Sequence, residues 1–228
     1  GSAPLSTQTH KMFKKRTGHS ILERYGMTET NMSTSNPYSG SRKAGTIGKA
    51  LPGVEIRITD QVTGEVLPDG KTGVIEQKGD NVFLGYWEMP EKTLDAFTPD
   101  NFFITGDLAT RDKNGYITLV GRDSDMIISG GLNVYPKEIE NLIDEIDEVL
   151  ESAVIGVPHP DFGEGVVAVV VLKEKLIYPK NIKNTLQPKL AKFKQPKFIT
   201  FAENLPRNAM GKVQKNVLRK QYKGLFKK

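Results

Sequence analysis

The sequence of 228 residues predicts an α+β protein in two parts, with strands dominating residues 1–122 and a small mixed domain over residues 123–228. Residues 54–79 alternate apolar and polar side chains around a segment rich in Gly, Pro and Asp, which is typical of antiparallel strands. Residues 135–150 repeat apolar side chains at helical spacing, whereas two short apolar runs within residues 152–173 are typical of buried strands.

In the strand-rich part, "VEIRITD" at 54–60 and "GVIEQKG" at 73–79 flank the turn-forming segment and predict an antiparallel pair. "NGYITLVGR" at 114–122 predicts another strand, which begins after an Asn-Gly turn. No internal repeat interrupts this order.

In the second part, Pro136 is placed to begin a helix. Its predicted apolar stripe contains Ile139, Leu142, Ile143, Ile146 and Leu150. Residues 181–193 predict a second helix, which Pro188 should kink or shorten. A strand is predicted over residues 197–206 and a final basic helix over residues 212–225.

The composition excludes several classes of protein. The longest apolar run, residues 166–172, is too short to cross a bilayer, so we expect no membrane span. The chain has no cysteine, which excludes disulfides and thiolate chemistry, and its three scattered histidines do not favour a zinc site. The absence of cysteine is consistent with a reducing compartment, and we expect a cytoplasmic location.

The charge is distributed unevenly. The net charge is +5, and residues 181–228 contain 13 Lys or Arg against one acid, Glu203. A basic end is compatible with a non-catalytic module that binds nucleic acid, which is one alternative function. No zinc-finger, RNP or helix-turn-helix signature accompanies it, and the same field attracts polyanionic small molecules, so we expect no nucleic-acid partner.

Two short motifs carry side chains suited to binding a nucleotide. In "YGMTET", Tyr25 could stack on a flat base, Thr28 could touch a phosphate and Glu29 could hold Mg²⁺ through oxygen. In "FFITGDLA", Asp107 follows a glycine at the predicted end of an apolar strand, where a carboxylate could accept hydrogen bonds from ribose hydroxyls. Taken alone, these residues are equally well a core aromatic, a surface acid and a turn aspartate.

Two further motifs lie in the second part or at its start. "GRDSDMIISGGLNVYPKEIE" combines Arg122, at the predicted domain junction, with Gly130 and Gly131, which allow a backbone to approach a ligand closely. "PRNAMGK" places Lys212 on a glycine-containing loop. For Lys212 alone, a solvated loop lysine is the simplest interpretation.

Together with "GYW" at 85–87, these motifs resemble, in order and spacing, the later motifs of the acyl-adenylate-forming superfamily. That superfamily contains acyl-CoA synthetases, adenylation domains of peptide synthetases and luciferases. The resemblance covers nearly the whole chain. Among subfamilies, "ERYGMTETNMSTSNPY", "GVPHPDFGEGV" and "LAKFKQPK" most resemble bacterial malonate-CoA ligases.

The resemblance implies an AMP-forming ligase of fatty acid metabolism with ATP, Mg²⁺ and coenzyme A as cofactors or co-substrates. A small carboxylic acid, malonate by the finer resemblance, is joined to the α-phosphate of ATP, and the CoA thiol then displaces AMP. Another short-chain carboxylate-CoA ligase and a peptide-synthetase-type adenylation domain are the alternatives within the superfamily. Residues 1–122 would then be the β-barrel-like portion of the large adenylating domain, and residues 123–228 its small mobile C-terminal domain.

The resemblance also assigns roles to residues. Tyr25, with Gly26 beside it, binds adenine, and Asp107 with Arg122 fixes the ribose. The catalytic residues are Thr28, which contacts phosphate, Glu29, which holds Mg²⁺, and Lys212, which offsets the repulsion between the two reacting anions.

The segment made of Gly130, Gly131, Leu132 and Asn133 contacts the pantetheine arm of CoA after the small domain has rotated. The resemblance places the hinge of this rotation within residues 122–125. The family usually has Asp or Lys at the hinge position, where this chain has Ser124.

One element of the family pattern is absent from the sequence. Relatives carry a Ser/Thr/Gly-rich phosphate loop that ends in a lysine, and the chain contains no such loop and no Walker-type substitute. The chain therefore resembles the C-terminal portion of such an enzyme, with "GSAPL" similar to a segment that lines the acyl and nucleotide pocket. We expect the chain alone to form no acyl-CoA.

Overall fold

The computed structural model describes residues 5, 7–174 and 177–226, and the chain divides into two compact units. One unit spans Leu5–Asp123 and the other contains Ser124–Lys228. Apart from Leu5, the "GSAPL" segment lies outside the described residues. Both units combine helices with sheets, so the predicted α+β class is confirmed. The assignment of the units to the two domains of a ligase remains a prediction.

The first unit contains two helices and two antiparallel sheets. Its elements are α1 (Thr7–Thr17), β1 (Arg24–Met27), β2 (Asn31–Ser35), β3 (Lys49–Ala50), β4 (Glu55–Thr59), β5 (Gly73–Lys78), α2 (Pro90–Asp95), β6 (Phe103–Arg111) and β7 (Ile117–Arg122). Strands β1, β2 and β3 form a three-stranded sheet, and β4 to β7 form a four-stranded sheet in chain order. The predicted antiparallel pair is confirmed as β4 and β5, in which Ile58 lies opposite Ile75.

The core of the first unit lies where these two sheets meet. It is built from buried side chains of the four-stranded sheet and of the segment before β3: Ile47, Ile58, Ile75, Ala109 and Ile117. Tyr25 of β1 packs against it. The amide of Ile47 donates to the carbonyl of Ile117 at 2.9 Å, and the amide of Ile117 donates to the carbonyl of Gly48 at 2.8 Å. The predicted strand-rich character is confirmed, whereas the described strands form two open sheets joined by this short bridge rather than a closed barrel.

Strand β6 is longer than the sequence pattern predicted. Asp107 was expected at the end of an apolar strand, but β6 continues to Arg111 and Asp107 is an interior residue of it. Gly106 adopts a φ of +69° in an irregular stretch of the strand, where the pairing of β6 with β5 shifts register between Val74 and Glu76. Asp107 therefore has a paired strand on each side of β6 rather than a loop.

In the described residues of the second unit, a five-stranded sheet is combined with three α-helices. Its elements are β8 (Ile127–Ser129), β9 (Leu132–Val134), α3 (Pro136–Asp144), β10 (Val149–His159), β11 (Gly163–Leu172), α4 (Pro179–Leu186), β12 (Phe198–Phe201) and α5 (Lys215–Tyr222). The sheet order is β10-β11-β8-β9, and β12 pairs with β11 in parallel. A short 3-10 turn, Asp123–Asp125, precedes β8.

Strand β11 is buried on both of its faces, which explains the continuous apolar run in the sequence. Val166, Ala168 and Val170 pack in one hydrophobic cluster with side chains of α3 and α4. Val167 and Val169 pack in a second cluster, which includes Leu218 of α5. A strand covered on both faces has no polar side, so its sequence lacks the usual alternation.

Two helices of this unit end earlier than their apolar patterns. Helix α3 ends at Asp144, so Leu150 does not belong to its stripe, and the prediction that the helix reaches Leu150 is wrong. Leu150 lies in β10, where the pairing with β11 shifts register between Val149 and Glu151, and its side chain is exposed. Leu150 fits the helical spacing of apolar residues only by chance. The pairing of β10 with β11, rather than this spacing, decides that Leu150 lies in a strand.

Helix α4 ends at Leu186, two residues before Pro188, so the prediction that this proline shortens the helix is confirmed. The final helix begins at Lys215 rather than at Lys212, which leaves Lys212 in the preceding loop. In the described part of the chain, none of the helices has the length and apolar character needed to cross a membrane.

An ion-pair network stabilises the outer face of β4 and β5. Arg57 donates from Nη1 and Nη2 to the carboxylate of Asp100, at 2.6 and 3.0 Å, and its Nε donates to Glu76 at 2.6 Å. The guanidinium also lies 3.9 Å from the ring centroid of Phe102. Hydrogen bonds from Arg57 and then from Thr98 lower the pKa of Asp100 from 3.8 to about 2.

We predict that Asp100→Asn destabilises the first unit in a pH-dependent manner. Because folding lowers the pKa of Asp100, its contribution is fully present above pH 3.8 and is lost as the pH falls towards 2. The difference in unfolding free energy between the wild type and the variant should therefore be constant near neutrality and shrink below about pH 4. Urea unfolding between pH 2 and 7 measures it.

Asp69→Asn is the comparison variant, since it removes a carboxylate that pairs with Arg111 through a single nitrogen at 2.8 Å. A wild-type-minus-Asp100→Asn difference that does not change with pH would contradict the coupling between Asp100 and Arg57.

Candidate active site

The "YGMTET" motif forms a tight hairpin in the first unit. Tyr25 lies in β1, and the turn Thr28–Thr30 connects β1 to β2. At the tip, Thr28 is exposed and Glu29 is half-buried. The side-chain amide of Asn81 anchors the turn by donating to the carbonyl oxygens of Thr30, at 2.6 Å, and Met32, at 3.0 Å.

Gly26 is required by the geometry of this hairpin. The register of β1 against β2 shifts between Tyr25 and Gly26, and the backbone of β2 passes directly over the glycine. A Cβ atom at position 26 would lie 1.7 Å from the carbonyl oxygen of Asn31. The structure therefore gives Gly26 a role in backbone packing, and its predicted contact with a cofactor remains a prediction.

Tyr25, Asp107 and Arg122 lie in direct contact. The Tyr25 hydroxyl donates to Oδ2 of Asp107 at 2.6 Å, and Nε of Arg122 lies 3.0 Å from Oδ1 of the same carboxylate. Asp107 and Arg122 are opposite each other in the β6–β7 pair, so the sheet itself sets this ion pair. The Asp107 side chain is 9% exposed and that of Arg122 is 52% exposed, so the constellation reaches from the interior to the surface.

The environment of this constellation fixes the protonation of Tyr25. Burial, and then the charge of Asp107, raise the pKa of the Tyr25 hydroxyl well above its usual range. The hydroxyl therefore remains a donor at physiological pH. Below it, the hydroxyl of Thr105 donates to the carbonyl of Ile75 at 2.9 Å and accepts from the amide of Asp107 at 3.1 Å, which ties the site to β5.

Glu29 is held by the "GYW" segment. The hydroxyl of Tyr86 donates to Oε1 of Glu29 at 3.2 Å, and the amide of Phe83 donates to the Glu29 carbonyl at 2.8 Å. Burial, and then the Glu29 charge, raise the pKa of Tyr86. Tyr86 and Asn81 were not among the predicted site residues, although "GYW" was a recognised motif. Only the fold reveals that they support the turn.

The predicted CoA-contacting residues form one hairpin in the second unit. Gly130 and Gly131, with φ of +61° and +77°, make the two-residue turn between β8 and β9. Positive φ at both positions is the geometry that favours glycine in such turns. Leu132 and Asn133 follow on β9 and are exposed. The amide of Gly130 donates to the carbonyl of Phe162 at 2.8 Å, which fixes the tip of the hairpin.

Lys212 lies on a loop between β12 and α5 that is closed by hydrogen bonds. The amide of Lys212 donates to Oδ1 of Asn208 at 2.9 Å, and its carbonyl accepts from the Asn208 amide at 2.9 Å. Gly211 adopts a φ of +78°, which lets the loop reverse. The Lys212 side chain is exposed, and within the described ranges its ammonium group has no hydrogen-bond or ion-pair partner.

The structure thus places the predicted site residues in three groups. In the first unit, Tyr25, Asp107 and Arg122 touch, while Gly26, Thr28 and Glu29 share the hairpin of Tyr25. In the second unit, residues 130–133 share one hairpin and Lys212 lies on a separate loop. The roles given to these residues by resemblance remain predictions.

Comparison with protein families identifies the class. The protein-family model described as AMP-binding enzyme matches residues 1–87. A second family model, described as AMP-binding enzyme C-terminal domain, matches residues 138–212. The chain belongs to the AMP-binding enzyme family.

Individual relatives are CoA ligases. The ATP-bound crystal structure of MatB from Rhodopseudomonas palustris is 58% identical with a TM-score of 0.97, and the alignment covers 100% of this chain and 45% of that one. A malonate–CoA ligase of Arabidopsis thaliana is 38% identical over 232 residues, covering 96% of this chain and 38% of the relative. A long-chain-fatty-acid–CoA ligase of Yersinia pestis is 37% identical over 220 residues, and the alignment covers 96% of this chain and 39% of that relative. The chain therefore spans less than half the length of these relatives.

We predict that Gly26→Ala destabilises the first unit by about 1–3 kcal/mol or more, because the added methyl group overlaps the backbone of Asn31. Hydrogen exchange should also be faster at the amides of β1 and β2. Gly224→Ala is the control, since its Cβ would meet no atom within 4 Å. If Gly26→Ala melts at the wild-type temperature, the close approach of the two strands is not maintained in solution.

Proposed function

We propose that this chain is part of an AMP-forming acid–CoA ligase and that its acid is malonate. The observation that carries the proposal is the contact of Tyr25 and Arg122 with the carboxylate of Asp107, at 2.6 and 3.0 Å. An aromatic ring, a carboxylate and a guanidinium group in contact are suited to a nucleoside. The similarity to MatB and to the malonate–CoA ligase of Arabidopsis thaliana supports malonate as the acid.

The ring of Tyr25 supplies the flat surface for adenine. Its hydroxyl is fixed by Asp107, and its body is half-buried against the core of the first unit, so the orientation of the ring is set before a ligand binds. The carboxylate of Asp107 is an acceptor suited to ribose hydroxyls. Arg122 pairs with that carboxylate and is half-exposed, so it can also donate to the ribose.

The hairpin tip supplies the groups for phosphate and Mg²⁺. Thr28 is exposed and offers a hydroxyl donor to a phosphate oxygen. Glu29 accepts one hydrogen bond at Oε1, and its Oε2 makes none with a described residue, so the carboxylate fits a cation ligand. Mg²⁺ in such sites is commonly held by one or two carboxylates together with substrate phosphates and water.

Lys212 supplies the charge that adenylation requires. The carboxylate substrate and the α-phosphate are both anions, and an ammonium group placed beside them offsets their repulsion and the charge that develops in the transition state. The exposed, unpaired ammonium of Lys212 on a loop closed by hydrogen bonds fits this role. In the second step we assign the hairpin of residues 130–133 to the passage of the pantetheine arm.

Two alternatives within the family differ in the acceptor or the acid. A peptide-synthetase-type adenylation domain would pass the acyl group to a carrier protein, and another short-chain acid would be read by residues upstream of the motifs described here. CoA-dependent release of AMP with a panel of acids distinguishes them. The cytoplasmic location and the role in fatty acid metabolism stay predictions.

The main test is Lys212→Ala in the complete enzyme, meaning this chain together with a full adenylating domain. Adenylation, measured as malonate-dependent exchange of pyrophosphate into ATP, should fall by about a hundredfold or more, equivalent to roughly 2.7 kcal/mol of barrier. Thioester formation from preformed malonyl-adenylate should change by only a few fold, because the lysine acts in the first step.

Lys220→Ala, which removes another exposed lysine of the same unit, is the control and should leave both steps unchanged. If Lys212→Ala reduces adenylation and thioester formation equally, the proposal that this lysine acts only in adenylation is wrong.

Gly131→Leu should show the opposite pattern. Because a Cβ at Gly131 meets no atom within 4 Å, the leucine would meet no steric clash within the fold, although the φ of +77° strains its backbone, and it would project into the space that we assign to pantetheine. Thioester formation should fall by about a hundredfold while pyrophosphate exchange stays within a few fold, a difference of roughly 2.7 kcal/mol.

Gly131→Ala is the matched control, since it carries the same backbone strain at a φ of +77° without the bulk. If alanine and leucine reduce both steps alike and lower the melting temperature, the glycine serves only the turn.

A further inference from the structure

Lys215 occupies a position that is unfavourable for a lysine. It is the first residue of α5, where the helix dipole repels a cation, and its side chain is only 16% exposed. Its Nζ lies 2.6 Å from Oε1 of Glu140 on α3. Neither the helix dipole nor solvation favours this placement, and the ion pair with Glu140 accounts for it.

Glu140 connects three elements of the second unit. The residue is 5% exposed, and its Oε1 accepts both Lys215 of α5 and the backbone amide of Val154 of β10, the latter at 2.9 Å. Its Oε2 lies 3.7 Å from Nζ of Lys137. Helix α3, strand β10 and the start of α5 therefore share one buried carboxylate.

The loop of Lys212 is closed at its base next to this ion pair. The amide of Gln214 donates to the carbonyl of Pro206 at 2.7 Å, and Arg207 pairs with Val213 in a short antiparallel bridge. On the opposite stem, Arg207 donates to Glu151 of β10 and, at 2.6 Å, to the carbonyl of Gly211. Both stems of the loop are thus attached by ion pairs to the platform of α3 and β10.

We propose that Lys215 is a positioning residue for Lys212, acting through its buried ion pair with Glu140. Lys215 follows Lys212 by only three positions, about 10 Å of extended chain, so a shift of Lys215 displaces Lys212. Buried ion pairs are weak sources of stability, and their best-attested role is to fix register. Here the register is that of the loop against α3 and β10. The inference rests on the proposed function where it concerns catalysis.

The test is Lys215→Met, which keeps most of the length of the side chain and removes its charge. In the complete enzyme, kcat for adenylation should fall by about tenfold to a hundredfold while KM for ATP and malonate stays within about threefold, because the Lys215 side chain is mostly buried against Glu140. Lys215→Arg should recover most of the rate. Lys194→Met is the matched control, since Lys194 pairs with Glu138 of α3 at 2.7 Å but has no link to the loop.

Hydrogen exchange on the 228-residue chain gives a readout that does not depend on activity. In Lys215→Met, the amides of Met210 and Lys212, which donate to Asn208, should exchange faster, whereas the amides of β11 should not change. If the single variant fails to fold, Glu140→Gln combined with Lys215→Met removes both charges and avoids a buried unpaired carboxylate.

The outcomes separate the two hypotheses. A kcat within twofold of the wild type overturns the positioning role, as does an equal loss in thioester formation from preformed malonyl-adenylate with a lowered melting temperature. If Lys212→Ala leaves adenylation intact, the proposed role of Lys212 fails. In that case, hydrogen exchange at the amides of Met210 and Lys212 is the only remaining test of the structural role of Lys215. Unchanged exchange rates in Lys215→Met would show that the ion pair of Lys215 with Glu140 does not hold the loop.

Discussion

The hydrogen bond from Tyr25 to Asp107 is the interaction on which the candidate nucleotide site depends. It joins the hairpin of β1 and β2 to the four-stranded sheet, between residues that are 82 positions apart in sequence. Each partner is placed by a separate constraint. The bulge at Gly26 sets the course of β1, and the pairing of β6 with β7 sets Asp107 against Arg122. The course of the backbone therefore determines where the side chains of this site lie.

Local patterns predicted the elements whose structure is decided locally. Pro188 ends α4, and the alternation around residues 54–79 gives β4 and β5, because each depends on neighbouring residues. Leu150 continued a helical stripe yet belongs to a strand, since the pairing of β10 with β11 is decided by residues far along the chain. The spacing of apolar residues near Leu150 carries no information about which distant strand pairs with it.

The same limit applies to the candidate site. The motifs identified Tyr25, Asp107 and Lys212 as candidates by their residue types and spacing, but the supports of these residues carry no local signal. In the sequence, Glu140 is one of several acids in a predicted helix, and Lys215 is one of several basic residues in another. Nothing in the sequence distinguishes either residue from its neighbours. Their pairing follows from the packing of α3 against β10 and of α5 beside both, which only the tertiary structure supplies.

Part of the uneven charge of the sequence is balanced within the second unit. Five of the 13 basic residues in 181–228 pair with acids of the stretch between residues 125 and 151: Lys189 with Glu145, Lys194 with Glu138, Arg207 with Glu151, Lys215 with Glu140 and Arg219 with Asp125. These five cations thus serve the fold of their own unit.

This charge arrangement has a consequence for the order in which the unit assembles. Arg207 pairs with an acid 56 positions earlier and Arg219 with one 94 positions earlier, whereas β10 and β11 are neighbours in the chain. Non-local contacts carry the larger cost of loop closure and form late. The hairpin of β10 and β11 can form before β12 docks in parallel beside it, whereas the loop of Lys212 follows β12 in the chain and is attached by these non-local ion pairs. We therefore expect the loop of Lys212 to be among the last parts of the chain to reach its place.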